Sequence, residues 1–120
     1  NVVQDVLVEI NVGCEPQKGG VVPEALFQFL ETVSVLPNVR LRGLMCIPPD
    51  VGEEDVRRYF ARMRELFHKA AALGLPGARV DTLSMGMSGD YRAAIAEGSN
   101  MVRIGTALFG PRRVTPGGEV

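Results

Sequence analysis

Two short stretches carry residue types that suit an anion. Ser84-Met85-Gly86-Met87-Ser88-Gly89-Asp90 joins the end of an apolar run to the start of a helix-like one. At such a junction, free backbone N–H groups and the helix dipole favour negative charge. The small Gly86 and Gly89 permit close approach, and the serine hydroxyls can donate. The same residues also make an ordinary turn with Ser88 as helix cap, and Asp90 argues against a phosphate at that spot. The second stretch, Arg103-Ile104-Gly105-Thr106, supplies another polar, glycine-bearing strand end, and two adjacent strand ends make a cradle. Arg103 lies in otherwise apolar surroundings, Met101 to Gly105. A buried guanidinium is costly without a partner, so it serves either a ligand or a structural ion pair with Asp81 or Glu9, unless it lies on an exposed edge.

The elements that position these residues follow from hydrophobic period. Residues 6–12 are short and β-branched and end in the Gly13-to-Gly20 loop, which predicts a first strand. From Pro23, Leu26, Phe29, Leu30, Val33 and Leu36 recur at three- and four-residue steps until Pro37, which predicts a first helix. Residues 39–47 predict a second strand before Pro48-Pro49. Glu53, Glu54 and Asp55 load a first turn with negative charge, and Val56, Tyr59, Phe60, Met63, Leu66, Phe67 and Ala70 form one stripe up to Gly74, predicting a second helix. Val80 to Met85 reads as a third strand. Ser88 reads as the N-cap of a helix through Ala96 with Gly98 as its stop, and Met101 to Ile104 as a fourth strand. A short closing segment, Thr106 to Gly110, leads to a loose Pro- and Gly-rich tail, residues 111–120.

Strands that alternate with helices call for an α/β fold with a parallel sheet. Two architectures satisfy the pattern: a small doubly wound sheet with its ligand at a switch point, or part of a (β/α)₈ barrel with its ligand at the carboxyl ends of the strands.

Bulk properties narrow the function. The 120 residues are 46% hydrophobic, enough for one ordinary core. Thirteen basic and fourteen acidic residues leave a formal charge of −1, which offers no cationic excess for nucleic acid. Cys14 and Cys46 form no CxxC pair and have no histidine companion, so neither a metal site nor a disulfide scaffold is expected, and a reducing cytoplasm fits. No run is long and apolar enough for a membrane span. The chain begins at Asn1, a few residues before a buried strand, so a longer parent protein is expected. His68 reads as a solvated helix residue, Cys46 as a buried thiol and Cys14 as a loop thiol.

Four motifs together resemble one family. Asn11 with Glu15, Lys18 and Gly20, then Leu41-Arg42-Gly43-Leu44-Met45, then Leu83-Ser84-Met85-Gly86-Met87-Ser88, then Val102-Arg103-Ile104-Gly105-Thr106 with Phe109-Gly110, are similar to the pyridoxal phosphate homeostasis proteins, the YggS/PROSC group. The resemblance runs from about Val6 to Arg112. It implies that residues 1–110 are the C-terminal half, about four βα units and strands five to eight, of a TIM-type (β/α)₈ barrel. That barrel is of the kind found in the N-terminal domain of alanine racemase, and it binds pyridoxal 5′-phosphate (PLP).

By the same resemblance, Ser84, the backbone of Gly105 and Thr106, and the Thr106 hydroxyl grip the phosphate, with Ser88 and Met85 nearby. Arg103 faces the pyridine nitrogen, where a cation disfavours ring protonation and weakens the ring as an electron sink. The family's Schiff-base lysine closes the first barrel strand and has no counterpart here, and neither Lys18 nor Lys69 matches it. Cofactor is therefore expected to be non-covalent or absent, with no catalytic residue in the chain. The implied role is intracellular PLP homeostasis without turnover. Its partners would be PLP and PLP-dependent apo-enzymes, and the chain would be a cytoplasmic monomer or weak homodimer.

Two other readings remain. One is a racemase-like enzyme, which needs two proton-exchanging groups on opposite faces of the substrate carbon; Tyr59 and Tyr91 fall in predicted helices, away from strand ends. The other is a plain phosphate-binding module that does not use PLP.

Overall fold

The structure, a computed structural model, describes residues 2–105 and the backbone of two short strands beyond them. The elements in order are β1 (Gln4–Glu9), a 3₁₀ turn (Pro23–Ala25) running into α1 (Leu26–Ser34), β2 (Val39–Met45), α2 (Glu53–Ala72), β3 (Thr82–Met87), α3 (Tyr91–Ala96) and β4 (Met101–Arg103). An antiparallel pair, β5 (Val114–Thr115) and β6 (Gly118–Glu119), follows. Of the tail expected to be loose, residues 111–120, only this pair is described. The closing segment expected from Thr106 to Gly110 lies outside the described residues.

The first four strands are parallel and lie side by side in chain order, β1-β2-β3-β4. A doubly wound sheet reverses its order at a switch point; no reversal occurs among these strands. Residues from α1, α2 and α3 share a single hydrophobic core with Val8, Leu41, Leu44, Leu83 and Met85 of the sheet. Strand alternation then sends Ser84 to the other side of β3 from Leu83 and Met85.

The longest helix forms for the reasons its sequence gives. Val56, Phe60, Met63, Leu66 and Ala70, at steps of three and four, are its buried stripe. Glu53, Glu54 and Asp55 occupy the first turn, where the dipole favours them, and Lys69 stands in the last. Burial of each large side chain on that stripe contributes roughly 1.5–3 kcal/mol.

Local departures from the sequence reading have identifiable causes. β1 ends at Glu9 rather than residue 12, because Ile10 only bridges Val21 and the chain then turns at Asn11. Asn11 Nδ2 donates to the Glu15 carbonyl at 2.8 Å, and its Oδ1 accepts from Glu15 N at 3.0 Å, closing the turn. The pairing of β1 with β2 slips between Val6 and Leu7, so that Arg42 falls opposite no strand residue. Its guanidinium reaches Asp81 at 2.8 Å and Asp5 at 3.1 Å. β3 continues to Met87, past the expected end at Met85, because Met87 pairs with Arg103 of β4.

The correction at α3 concerns its start. The helix begins at Tyr91, and Asp90 rather than Ser88 holds the cap position. Residues 88–90 make a turn in which Asp90 N donates to the Met87 carbonyl and Asp90 Oδ1 accepts from Met87 N at 2.7 Å. The expected stop at Gly98 stands: its φ of +101° is the left-handed conformation that glycine adopts without strain.

Candidate functional site

The carboxyl ends of β3 and β4 lie together, as the two motifs required. Met87 is the register partner of Arg103, and Ser84 that of Met101. The lead into β4 is fastened by side chains: Asn100 Oδ1 accepts from Leu83 N at 2.8 Å, and Ser99 Oγ donates to the Met85 carbonyl at 2.6 Å. These bonds hold the β3 and β4 ends in fixed relation.

Arg103 is the centre of the site. Its Nη1 donates to Ser84 Oγ at 2.7 Å and its Nη2 to the Cys46 carbonyl at 3.1 Å, so the side chain reaches from β4 across β3 to the end of β2. No carboxylate pairs with it among the described residues, and the alternatives of an ion pair with Asp81 or Glu9 do not occur there. Asp81 is engaged instead by Arg42, Arg79 and the Thr82 hydroxyl. Two of the guanidinium's five donors are used by the described residues, which leaves a half-buried cation with donors not taken up among them. Such a group suits an acceptor or an anion.

The other expected residues take different places. Ser84 is buried, with its hydroxyl accepting from Arg103. Met85 is fully buried in the helix-side core, so its side chain does not face the site and only its backbone can lie near a ligand. Ser88 is half-buried in the β3–α3 turn. The Met87 N–H that would greet an anion at that turn already serves Asp90. Gly105 follows β4 and is exposed. Thr106, expected to complete the phosphate grip, lies outside the described residues.

Gly86 is required where it stands. Its φ is +107°, and a Cβ there would come within 2.8 Å of Ala94 Cβ and 3.2 Å of Val102 Cγ1. A cleft beside the site runs between the β2–α2 and β3–α3 loops, lined by Ile47, Pro48, Met87, Ser88, Asp90 and Tyr91 among others. Tyr91 is the first residue of α3 and so stands nearer a strand end than its helical assignment suggested.

The sequence reading missed Cys46 as a partner of Arg103, because a backbone carbonyl leaves no signature in residue type. Its thiol is buried as expected, and burial pushes it up to about 12 despite the nearby Arg103 charge. Cys14 is exposed, and His68 lies on an exposed face of α2. Among the described residues no group of His, Cys, Asp and Glu is arranged for a metal. No helix among them is long and apolar enough to cross a membrane.

Comparison with known families decides the relationship. Residues 1–113 match the model of the alanine racemase N-terminal domain. The chain belongs to this family. Within it, the chain is 51% identical over 117 residues to a protein of Aquifex aeolicus named pyridoxal phosphate homeostasis protein, covering 94% of this chain and 49% of the relative. It is 45% identical over 108 residues to the protein of the same name in Escherichia coli K12, covering 90% of this chain and 45% of the relative. The chain thus spans about half the length of the curated relatives it matches.

Solved structures agree. PipY of Synechococcus elongatus with PLP bound is similar with a TM-score of 0.77 and 34% identity, over 91% of this chain and 50% of PipY. A protein of Bifidobacterium adolescentis gives a TM-score of 0.85 at 40% identity, over 90% of this chain and 44% of the other. The resemblance read from the four sequence motifs is thereby confirmed.

Proposed function

We propose that this chain is the carboxyl-terminal half, strands five to eight, of a TIM-type barrel that binds PLP and serves its homeostasis in the cytoplasm. The barrel part rests on four parallel strands in unreversed order, with the helices sharing one core and the site at the strand ends. The homeostasis part rests on the names of the relatives and on the PLP held by PipY. The observation that carries the cofactor assignment is Arg103, a half-buried cation without a carboxylate partner among the described residues, held by Ser84 and the Cys46 carbonyl beside a glycine-bearing strand end.

These residues fit the cofactor. Arg103 would face the ring nitrogen and keep it unprotonated. The backbone of Gly105 and Thr106, with the Thr106 hydroxyl and Ser84, would hold the phosphate, and Ser88 would lie close by. Bound PLP supplies an aldehyde and an electron-withdrawing ring; an arginine at the ring nitrogen restrains the second property, which suits storage and delivery to apo-enzymes more than turnover. Lys18 is tied to two backbone carbonyls and to Glu15, and Lys69 is on exposed helix surface, so neither is assigned a Schiff-base role in this reading.

An equilibrium titration tests the reading. PLP should bind more tightly than inorganic phosphate, and Arg103→Gln should weaken PLP by about tenfold, as expected for loss of a charge-assisted hydrogen bond. Equal affinities for the two ligands would instead favour a plain phosphate module.

A further inference from the structure

We propose that Ser84 is a positioning residue for Arg103, and that its hydroxyl links the cation at the ring-nitrogen end of the site to the phosphate end. The link to a cofactor rests on the reading above; the coupling of Ser84 to Arg103 does not.

An arginine side chain has four rotatable bonds, so aiming its head group costs conformational entropy that a fixed partner offsets in advance. Among the described residues Arg103 has two fixed partners, and they are joined to each other. Cys46 N donates to the Ser84 carbonyl at 3.1 Å, while Ser84 Oγ and the Cys46 carbonyl accept from the two Nη groups at 2.7 and 3.1 Å. The guanidinium therefore sits on a closed triangle of hydrogen bonds spanning three strands. Ser84 itself is pinned because its neighbours Leu83 and Met85 are both fully buried in the core.

The chemistry of a hydroxyl matters at this position. A carboxylate would also hold the arginine but would neutralise it, whereas a serine orients the cation and leaves its charge for the ligand. Serine accepts from Arg103 and keeps one proton to donate. One residue can thus hold the arginine and still give a hydrogen bond to phosphate.

The first test uses the cofactor-free chain, with ¹⁵N-labelled arginine followed by NMR. The Arg103 guanidinium should exchange and rotate slowly. Ser84→Ala should speed this by about tenfold, the scale set by losing one charge-assisted hydrogen bond. Ser84→Thr, which keeps the hydroxyl and suits a strand, should restore slow exchange, and Ser84→Cys, similar in bulk but a poor acceptor, should behave like alanine. The backbone amide spectrum of each variant confirms that the sheet is intact. Unchanged Arg103 exchange in both the alanine and the cysteine variants overturns the proposal.

The second test follows ring-nitrogen protonation of bound PLP by absorbance against pH. Ser84→Ala should raise the midpoint toward that of Arg103→Gln, and Ser84→Thr should not. A midpoint that stays put while affinity falls would mean that Ser84 serves the phosphate alone, which also overturns it. If PLP fails to bind while the arginine exchange responds as expected, the cofactor reading fails and the Ser84–Arg103 coupling stands.

Discussion

The Lys18 ammonium donates to the Pro48 carbonyl at 3.0 Å and to the Ile47 carbonyl at 3.2 Å, and it lies 2.9 Å from Glu15 Oε2. One cation thereby ties the loop after β1 to the loop after β2. The loops also touch directly, since a Cβ on Gly13 would lie 2.4 Å from Pro49 Cγ. Lys18→Met should lower stability by about 1 kcal/mol, less than a buried charge-assisted bond because the side chain is partly exposed. Urea unfolding checks the magnitude, and faster amide exchange confined to residues 13–20 and 47–50 checks the cause.

The strands β2 and β3 approach closely at Gly43, the register partner of Thr82. A Cβ there would lie 1.8 Å from the Thr82 carbonyl oxygen and 2.7 Å from its carbon, a clash with backbone that no rotamer relieves. Gly43→Ala should cost about 3 kcal/mol or more, in the range of severe overpacking. Gly52→Ala is the control: it has open space around it, lies at the start of α2 with φ near −66°, and should change stability by less than about 1 kcal/mol. Comparable losses in the two variants would contradict the packing described.

Acid should weaken the fold through Asp81. The hydrogen bond from Arg42, then that from the Thr82 hydroxyl, holds the Asp81 carboxyl below its ordinary value. A depressed folded-state pKa gives stability that is present above the unfolded value, near 4, and lost as pH falls through the folded value. Between about pH 5 and pH 3, the unfolding midpoint should fall more steeply in the wild type than in Asp81→Asn. Parallel slopes would remove Asp81 from the account.

The two thiols should behave differently. Cys14 is exposed, whereas Cys46 is buried with its thiol pushed up to about 12. At pH 8 a thiol reagent should modify Cys14 in the folded chain and reach Cys46 only after unfolding. Mass spectrometry of partially labelled protein resolves the two sites, and equal labelling rates would contradict the burial of Cys46.

What was legible in the sequence was what depends on neighbours in the chain. The α2 stripe from Val56 to Ala70, its acidic first turn and the Gly98 stop all follow from local spacing and conformational preference. The start of α3 was not legible, because Ser88 and Asp90 are both capping types and the choice between them falls on the contact Asp90 makes with Met87 N. The slip in β1–β2 pairing at Arg42 depends on two strands at once. Strand order is likewise a property of the assembled chain. In the site, Arg103 stood out as a cation in an apolar strand, whereas its anchor on the Cys46 carbonyl, 57 residues away, had no residue-type signal.

The central claim is that Arg103 and the strand end beside it form the seat of PLP. The most direct measurement is an NMR titration of ¹⁵N-labelled chain with PLP. Saturable shifts should appear in the Arg103 guanidinium and in the amides of Gly86, Ser88, Arg103 and Gly105, and in Arg103→Gln the amide shifts should need about tenfold more PLP to reach half-saturation. Absence of shifts there, or shifts confined to the surroundings of Lys18 and Lys69, would contradict the account.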